Sequence, residues 1–292
     1  MYDPITYHQK FTPDEFEAQY NLRAGRPDYE VTVIPEWIAR SEAARQELNG
    51  VLDVRYGEGE KQKLDIFTCG NSSAATLVYF HGGYWQRGDK SLYSFLAKPF
   101  VTSGVNVIVV GYDLCPAVTI TRISEEAREA MAYIWRNADQ LEINRDRLTV
   151  MGHSAGGHIT QMMMGTDWKK YGADLPHDLV RSGIPVSPLS LLEPVRLTLN
   201  LNSGIRMDAA EAEAESPMLN HHPVTNAPQL VVVGGAETEE FHRQSQMYID
   251  AFSTSDRPME MYIVPGVDHF DELNVLADPD SPFFKKTMSI LA

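Results

Sequence analysis

The sequence predicts an α/β protein with a mostly parallel central sheet of about eight strands and helices on both faces. After residue 50, short β-branched apolar runs alternate with longer stretches of helical period, which is typical of strand–helix units around a parallel sheet. A hairpin pattern precedes these units, with its turn at Gly57-Glu58-Gly59-Glu60. Finally, an apolar run from Leu148 breaks on Gly152-His153-Ser154-Ala155-Gly156 and continues as a helix, the pattern of a sharp strand-to-helix turn.

The first 50 residues are rich in charged and aromatic side chains, beginning with Tyr2, and contain no strand pattern. A helix is predicted over 13–21, with Thr12 as its N-cap. A second helix is predicted over Ile34–Leu48, where apolar residues recur at helical spacing. We interpret residues 1–50 as a helical cap or brace on the main domain.

The other elements follow in chain order. Residues 188–226 interrupt the alternation with short helical fragments and a Glu-Ala run at 211–215, so we interpret them as an inserted flap over the site. The whole chain, 1–292, is expected to form one domain. Strands are predicted over 51–56, 63–67, 75–80, 105–110, from 148, and over 180–186, 229–233 and 259–264; helices are predicted over 91–102, 125–140, 158–164, 241–252 and after Pro282.

The composition excludes some classes of partner. A formal net charge of -15 disfavours nucleic acid and anionic membrane surfaces, and no apolar run reaches membrane-spanning length. Because the N-terminus has no signal-peptide pattern, a cytoplasmic location is expected. Cys69 and Cys115 lack ligand-like spacing and are expected to be free thiols. The adjacent His221-His222 pair makes a poor metal site, so neither a metal nor a cofactor is expected.

Ser154 is the candidate nucleophile. It lies at the centre of the Gly-x-Ser-x-Gly turn, where Gly152 and Gly156 allow the strand and the helix to pack closely. In open α/β sheets, sites form at the carboxyl ends of strands, and two further loops reach that edge. They are Gly234-Gly235-Ala236-Glu237 and Pro265-Gly266-Val267-Asp268-His269.

A serine hydroxyl needs a base to take its proton, and a carboxylate then orients that base. His269 is the candidate base and Glu237 the candidate acid. Glu239 and Glu240 are competitors for the acid, although they also fit the N-terminal charges of the next helix. Asp268 and Asp271 remain further alternatives, yet they flank the base too closely in sequence to turn back onto its ring easily.

A tetrahedral intermediate also needs hydrogen-bond donors for its oxyanion. The loop His81-Gly82-Gly83-Tyr84-Trp85 follows a predicted strand and offers accessible backbone N–H groups, and the N–H of Ala155 follows the nucleophile. Tyr84, Trp85 and Tyr112, together with the aromatic N-terminal segment, are candidates for an aromatic substrate site, as is His153. Aromatic side chains more often belong to the core, so that alternative stays open.

The motifs HGGYW, GHSAGG and GVDHFDEL together resemble the kynurenine formamidase (arylformamidase-like) branch of the α/β-hydrolases, neighbours of the hormone-sensitive-lipase-like esterases. Similar segments elsewhere are Tyr20-Asn21-x-Arg23, Trp37 followed by Ser41, YGEGEKQKLDIF and EEFHRQS. The resemblance implies an α/β-hydrolase fold and a serine hydrolase without metal, acting on N-formyl anilides or small aryl esters.

Matching the motifs of that branch implies Ser154 as nucleophile, Glu237 as acid and His269 as base. By analogy, the oxyanion donors would be the N–H groups of Gly83, Tyr84 and Ala155. Two departures stand out. The branch usually has Asp where Glu237 stands, and the segment 187–191, which we expect to border the substrate, differs from the usual run.

Three functions compete. The first is an arylformamidase that releases formate from an N-formyl aromatic amine, and the second is a broad-scope, short-acyl carboxylesterase with the same machinery. The third is a catalytically inactive binding protein that kept the fold. The expected partner is a small aromatic amide or ester, and the oligomeric state is left open, a homodimer included.

Overall fold

The structure, a computed structural model, describes residues 7–48 and 50–291. Eight strands form one sheet in the order β1-β2-β4-β3-β5-β6-β7-β8. β1 pairs antiparallel with β2, and β2 pairs antiparallel with β4, whereas the other neighbours are parallel. The predicted mostly parallel sheet with a leading hairpin is therefore confirmed. The strands are β1 (Val51–Arg55), β2 (Lys63–Phe67), β3 (Thr76–Phe80), β4 (Asn106–Val110), β5 (Leu148–His153), β6 (Ser182–Val186), β7 (Gln229–Gly234) and β8 (Met259–Val264).

The strand order reverses at β3, which lies between β4 and β5. After β3 the chain builds β4 on one side, then crosses to β5 on the other side. Phe80, the last residue of β3, is in register with Gly152 near the end of β5. The loops that follow β3 and β5 therefore leave the same edge of the sheet side by side, where open α/β sheets hold their ligands.

The two faces of the sheet carry separate hydrophobic cores, because successive strand residues point in opposite directions. Val78 and Val150 face one core, which includes residues of the helix that follows β4. Leu77 and Met151 face the other, which includes Trp37 from the N-terminal segment. Helices thus cover both faces, as the sequence predicts.

Short helical turns and α-helices precede, connect and follow the strands. Short 3-10 turns cover Tyr7–Lys10 and Leu22–Gly25, a π-helical turn covers Tyr29–Val33, and a 3-10 stretch covers Lys90–Leu96. The α-helices are α1 (Pro13–Tyr20), α2 (Ile34–Leu48), α3 (Ala97–Thr102), α4 (Ile120–Arg136), α5 (Ala155–Met164), α6 (Trp168–Tyr171), α7 (Glu193–Arg196), α8 (Leu199–Ile205), α9 (Ala209–Ala214), α10 (Pro217–Asn220), α11 (Glu239–Phe252), α12 (Asp271–Leu276) and α13 (Pro282–Leu291).

Two predicted helices differ most from the structure, whereas the other helix bounds differ by at most three residues. Helix α4 begins five residues earlier than predicted, because the Thr119 side chain accepts a hydrogen bond from the N–H of Arg122 and caps the helix there. The predicted helix over 91–102 is α-helical only from Ala97, and its first part is a 3-10 helix. In contrast, Thr12 caps α1 as predicted, in a capping box with Glu15.

The N-terminal segment is tied to the rest of the molecule by polar contacts, one of them buried. The Tyr20 hydroxyl donates a 2.6 Å hydrogen bond to Glu240 at the start of α11. Glu17 accepts from the backbone of Asn200 in α8, which belongs to the predicted flap. Residues 1–6 of the predicted cap, with Tyr2, lie outside the described residues. Among the described helices, none combines the length and the apolar character that crossing a membrane requires.

Candidate active site

Ser154 occupies a strained turn between β5 and α5. Its backbone has φ 60° and ψ −119°, a conformation that non-glycine residues rarely adopt and that marks functional turns. A Cβ atom on Gly152 would lie 2.2 Å from the carbonyl oxygen of Gly156, and one on Gly156 would lie 2.0 Å from that of Phe80. Side chains at these two positions are therefore excluded, and the turn can form only with glycine there.

The loop after β3 lies directly against this turn. Gly83, Tyr84 and Trp85 all have positive φ, of 120°, 50° and 56°. A Cβ on Gly82 would come within 3.2 Å of the Cβ of Ser154 and within 2.8 Å of the carbonyl oxygen of His153. This close approach lets the backbone of the loop reach the space next to the serine.

His269 and Glu237 form a buried pair at the same edge of the sheet. Nδ1 of His269 lies 2.6 Å from Oε2 of Glu237, and both side chains are at most 5% exposed. Burial opposes ionisation of this carboxyl, but the charge and hydrogen bond of His269, with bonds from Glu272 and Ser187, lower the pKa of Glu237 to about 2. Because a carboxylate only accepts hydrogen bonds, Nδ1 of His269 carries the hydrogen and Nε2 is available as a base.

The other candidate acids are engaged elsewhere. Asp268 accepts a 2.5 Å hydrogen bond from Arg26, and Asp271 accepts one of 3.0 Å from the same guanidinium. Glu240 is buried against Arg243, whereas Glu239 is exposed at the start of α11. Among the five acids that the sequence leaves open, the structure brings Glu237 to the ring of His269.

Comparison with known proteins identifies the family. A family model described as the alpha/beta hydrolase fold matches residues 77–271. The kynurenine formamidase of Salmo salar is 31% identical over 93% of this chain and 91% of its own length. The kynurenine formamidase of Danio rerio is 29% identical over 92% of this chain and 93% of its own. The chain belongs to the kynurenine formamidase branch of the α/β-hydrolases.

A solved structure shows the same likeness. The crystal structure of a candidate thioesterase from Silicibacter sp. TM1040 is 33% identical, covers 89% of this chain and 93% of that one, and superposes with a TM-score of 0.76. The resemblance that the sequence motifs carry is therefore confirmed, as is the α/β-hydrolase fold. Its family makes the protein a hydrolase of the formyl-amide or ester type.

In this hydrolase His153 contacts the backbone of His269, the candidate base. Its Nε2 lies 2.8 Å from the carbonyl oxygen of His269 and donates to it, and the two rings are 4.3 Å apart. Burial, followed by the charge of His269, lowers the pKa of His153 to about 3, so the ring is neutral near pH 7. His153 lines the cavity, as expected of a substrate contact, but its polar edge holds the loop after β8.

The structure corrects two expectations about the substrate site. Trp85 is fully buried and packs edge-on against His158 at 5.1 Å, so it faces the core. Tyr112 is also fully buried, stacks on His81 at 4.2 Å and donates a 2.6 Å hydrogen bond to the carbonyl oxygen of His81. Neither side chain lines the cavity next to Ser154, because both rings pack behind the loop, against His158 and His81.

The cavity at Ser154 has a volume of about 190 Å³ and an aromatic wall. Tyr84, with a hydroxyl that donates to the carbonyl oxygen of Tyr20, is the part of the predicted aromatic loop that reaches it. Two arginines, Arg23 and Arg87, also line it. Sequence reasoning missed both arginines as site residues, and only Arg23 fell within a segment that resembles the family. The other aromatic residues in the wall are Tyr29, Trp37, Tyr93 and Phe270.

Sequence reasoning also missed what lies behind Glu237. Ser187, expected to border the substrate, is fully buried, and its hydroxyl contacts Glu237 and Glu272. The segment 187–191 does not line the cavity, so that expectation is wrong. No spacing signal could have revealed Glu272, because it reaches Ser187 across 85 residues of chain.

One group of described residues has the composition of a metal site. Ligand atoms of His153, His269 and Glu272 lie within 4.8 Å of one another. Nε2 of His153 already donates to a carbonyl oxygen, and Nδ1 of His269 donates to Glu237. Because an N–H group has no lone pair for a metal, these two nitrogens serve the hydrogen-bond network of the site.

Proposed function

We propose that the protein is a serine hydrolase that removes short acyl groups, formyl above all, from aromatic amines through an acyl-enzyme. Ser154 and His269 line one cavity, and Glu237 is 2.6 Å from the far nitrogen of His269. That pair is the observation that carries the proposal, because it places the hydrogen of the ring on Nδ1 and leaves Nε2 of His269 available as the base.

In the first step His269 takes the proton of Ser154 while the serine oxygen attacks the acyl carbon. The imidazolium that forms is stabilised by the carboxylate of Glu237. The proton then passes to the leaving amine, which departs and leaves the acyl group on Ser154. Water, activated by the same histidine, releases the acid and restores the serine.

The oxyanion of each tetrahedral intermediate would be bound by the N–H groups of Gly83, Tyr84 and Ala155. Ala155 is the first residue of α5, so its N–H has no acceptor within the helix and points to the helix N-terminus. The left-handed backbone of Gly83 and Tyr84 and the close approach of Gly82 to Ser154 favour the same geometry.

The cavity supports an aromatic leaving group that carries a negative charge. Arg23 lies 4.5 Å from the ring of Tyr29, and Arg87 adds a second positive charge near the same ring. Guanidinium groups bind carboxylates and stack on aromatic rings. In a chain with a net charge of -15, two arginines in one small cavity favour an aromatic substrate that carries a carboxylate, such as N-formylkynurenine, over an ester without one.

A broad-scope, short-acyl carboxylesterase is the second candidate, because it would use the same catalytic residues. The two functions would differ only in which substrates the cavity accepts. Steady-state kinetics on N-formylkynurenine, formanilide and p-nitrophenyl acetate, butyrate and octanoate test the choice. We expect the formyl amides to have the highest kcat/KM. If octanoate is the best substrate and the formyl amides are inert, the esterase alternative is correct.

A catalytically inactive binding protein is tested separately. A fluorophosphonate probe labels an activated serine, so the wild type should be labelled and Ser154→Ala should not. Absence of labelling of the folded wild type would contradict the serine mechanism itself.

A further inference from the structure

Glu272, the second residue of α12, has a buried carboxyl group that no step of the proposed reaction uses. Each of its two oxygens lies 2.9 Å from Oγ of Ser187. The same hydroxyl contacts Oε1 of Glu237, the oxygen that does not face His269. One serine hydroxyl thus joins Glu272 to the carboxylate that orients the base.

The backbone fixes this hydroxyl in place. Ser187 follows β6 with φ 46°, a left-handed conformation that is strained for a side chain other than glycine. Its N–H donates a 2.8 Å hydrogen bond to the carbonyl oxygen of Val232 in β7. Oε1 of Glu237 also accepts a 3.0 Å bond from the N–H of Gly234. Oε1 of the Glu237 carboxylate therefore contacts both the N–H of Gly234 and the hydroxyl of Ser187. Glu272 lies behind the Ser187 hydroxyl.

The hydrogen count requires a proton on Glu272. A serine hydroxyl has one hydrogen, and ionised carboxyl groups only accept hydrogen bonds. If Glu237 and Glu272 were both ionised, the hydroxyl could serve only one of them, and two negative charges would face each other without solvent. A protonated Glu272 donates its own hydrogen to the oxygen of Ser187. The Ser187 hydroxyl is then free to donate to Glu237, so both carboxyl groups have a hydrogen in their contact with Ser187.

The groups around Glu272 agree with this assignment. Four titratable groups face it: Glu237, His269, Tyr79, and His153 with Nε2 at 3.5 Å from its carboxyl. His153 is neutral because burial lowers its pKa to about 3. Neither Glu237 nor the neutral His153 supplies a positive charge that would hold Glu272 as a carboxylate. Burial first, and then the charge of Glu237, raise the pKa of Glu272 well above its usual range.

We propose that Glu272 is a positioning residue that stays protonated at physiological pH and, through Ser187, holds Glu237 as a carboxylate oriented toward His269. The proton remains on Glu272 throughout turnover, and no bond to substrate forms. The inference rests on the proposed role of Glu237 as the acid of the triad. It does not depend on which amide or ester is cleaved.

Infrared spectroscopy tests the protonation state directly. At neutral pH, the infrared spectrum of the wild type minus that of Glu272→Gln should show the carbonyl stretch of a protonated carboxylic acid, which the variant lacks. Glu126, another acid with a raised pKa due to burial, is present in both proteins and cancels. Ser187→Ala should shift the frequency of that band, which provides the test if the glutamine variant does not fold. No such band in the wild type at neutral pH would overturn the proposal.

The pH dependence of stability gives a second test that needs no substrate. A carboxyl with a raised pKa in the folded state contributes stability that is complete below its unfolded value of 4.5 and is lost as pH rises toward the folded value. Glutamine keeps a donor and cannot ionise. The melting temperature of Glu272→Gln should therefore increase relative to that of the wild type as pH rises above 4.5. A difference that is constant across this range would contradict a protonated Glu272.

Kinetics separate positioning from mere packing. Glu272→Leu removes the donor at similar volume, and we expect kcat on p-nitrophenyl acetate to fall ~10-fold or more while KM changes less than about twofold. Glu272→Gln should recover most of that loss, because its amide donates to Ser187. Equal losses in the two variants would overturn the proposal. If Ser154→Ala instead keeps activity, the serine mechanism fails while the infrared and melting results still decide the state of Glu272.

Discussion

His153 donates a 2.8 Å hydrogen bond from Nε2 to the carbonyl oxygen of His269. The residue before the candidate nucleophile is thus bonded to the backbone of the candidate base, across 116 residues of chain. Burial lowers the pKa of His153 to about 3, and the neutral ring carries its hydrogen on Nε2, which faces the carbonyl oxygen. The bond links the end of β5, next to Ser154, to the loop after β8 that carries His269.

Ser154→Ala and His269→Ala should each abolish most turnover without unfolding the protein. Loss of a nucleophile or its base typically costs on the order of 10³-fold or more in kcat. Steady-state kinetics measure the loss, and circular dichroism should show unchanged secondary structure for Ser154→Ala. Purified Ser154→Ala protein that keeps its activity would refute the mechanism.

Glu237→Gln should reduce kcat far more than Glu239→Gln. The amide keeps the size of the side chain but removes the charge that stabilises the imidazolium and the acceptor that sets the tautomer of His269. Glu239 is exposed on the neighbouring helix and is the matched control. Glu240→Gln is a poorer control, because Glu240 is buried in bonds to Arg243 and Tyr20. If kcat is unchanged in Glu237→Gln, Glu237 is not the acid of the triad.

Tyr112→Phe should lower kcat and stability together. The change removes only the hydroxyl that holds the carbonyl oxygen of His81, at the start of the candidate oxyanion loop. A buried acceptor that loses its partner costs about 1–3 kcal/mol, which a denaturant titration can measure. Tyr262→Phe, in β8 and away from the cavity, serves as control. Unchanged kcat in Tyr112→Phe would show that this bond does not position the loop.

The acyl specificity should favour small groups. Tyr84 lies in the loop after β3 and lines the cavity beside Ser154, so its bulk narrows the space next to the candidate oxyanion donors. We expect kcat/KM to fall from formyl and acetyl to butyryl and octanoyl, since each methylene that is not accommodated costs about 1–3 kcal/mol in the transition state. A rate that rises with chain length would contradict a small acyl pocket.

Arg87→Ala should weaken the binding of substrates that carry a carboxylate. Loss of one charge-assisted contact corresponds to ~10-fold or more in KM, while KM for neutral formanilide should change little. Lys98→Ala removes an exposed cation paired with Glu47 and controls for the change in net charge. Equal effects of Arg87→Ala on the charged and neutral substrates would argue against carboxylate recognition in this cavity.

Features that depend on residues adjacent in the chain could be predicted from the sequence. Strand–helix alternation, the glycine-bounded turn at Ser154 and the capping of α1 by Thr12 are local patterns, and the structure contains all of them. Helix α4 begins earlier than predicted, because the Thr119 side chain caps it by accepting a hydrogen bond from the N–H of Arg122.

Which side chains meet across the chain depends on tertiary packing. Glu237 was one of five candidate acids until packing brought it to His269 and turned Asp268 and Asp271 toward Arg26. Trp85 and Tyr112 are aromatic, as are the residues that do line the cavity. An aromatic residue in the sequence can point either to the core or to a cavity, so residue type alone does not distinguish the two. The bridge from Glu237 through Ser187 to Glu272 joins three separate loops and helices. Such contacts arise when distant strand ends converge at one sheet edge, and no spacing within the chain records them.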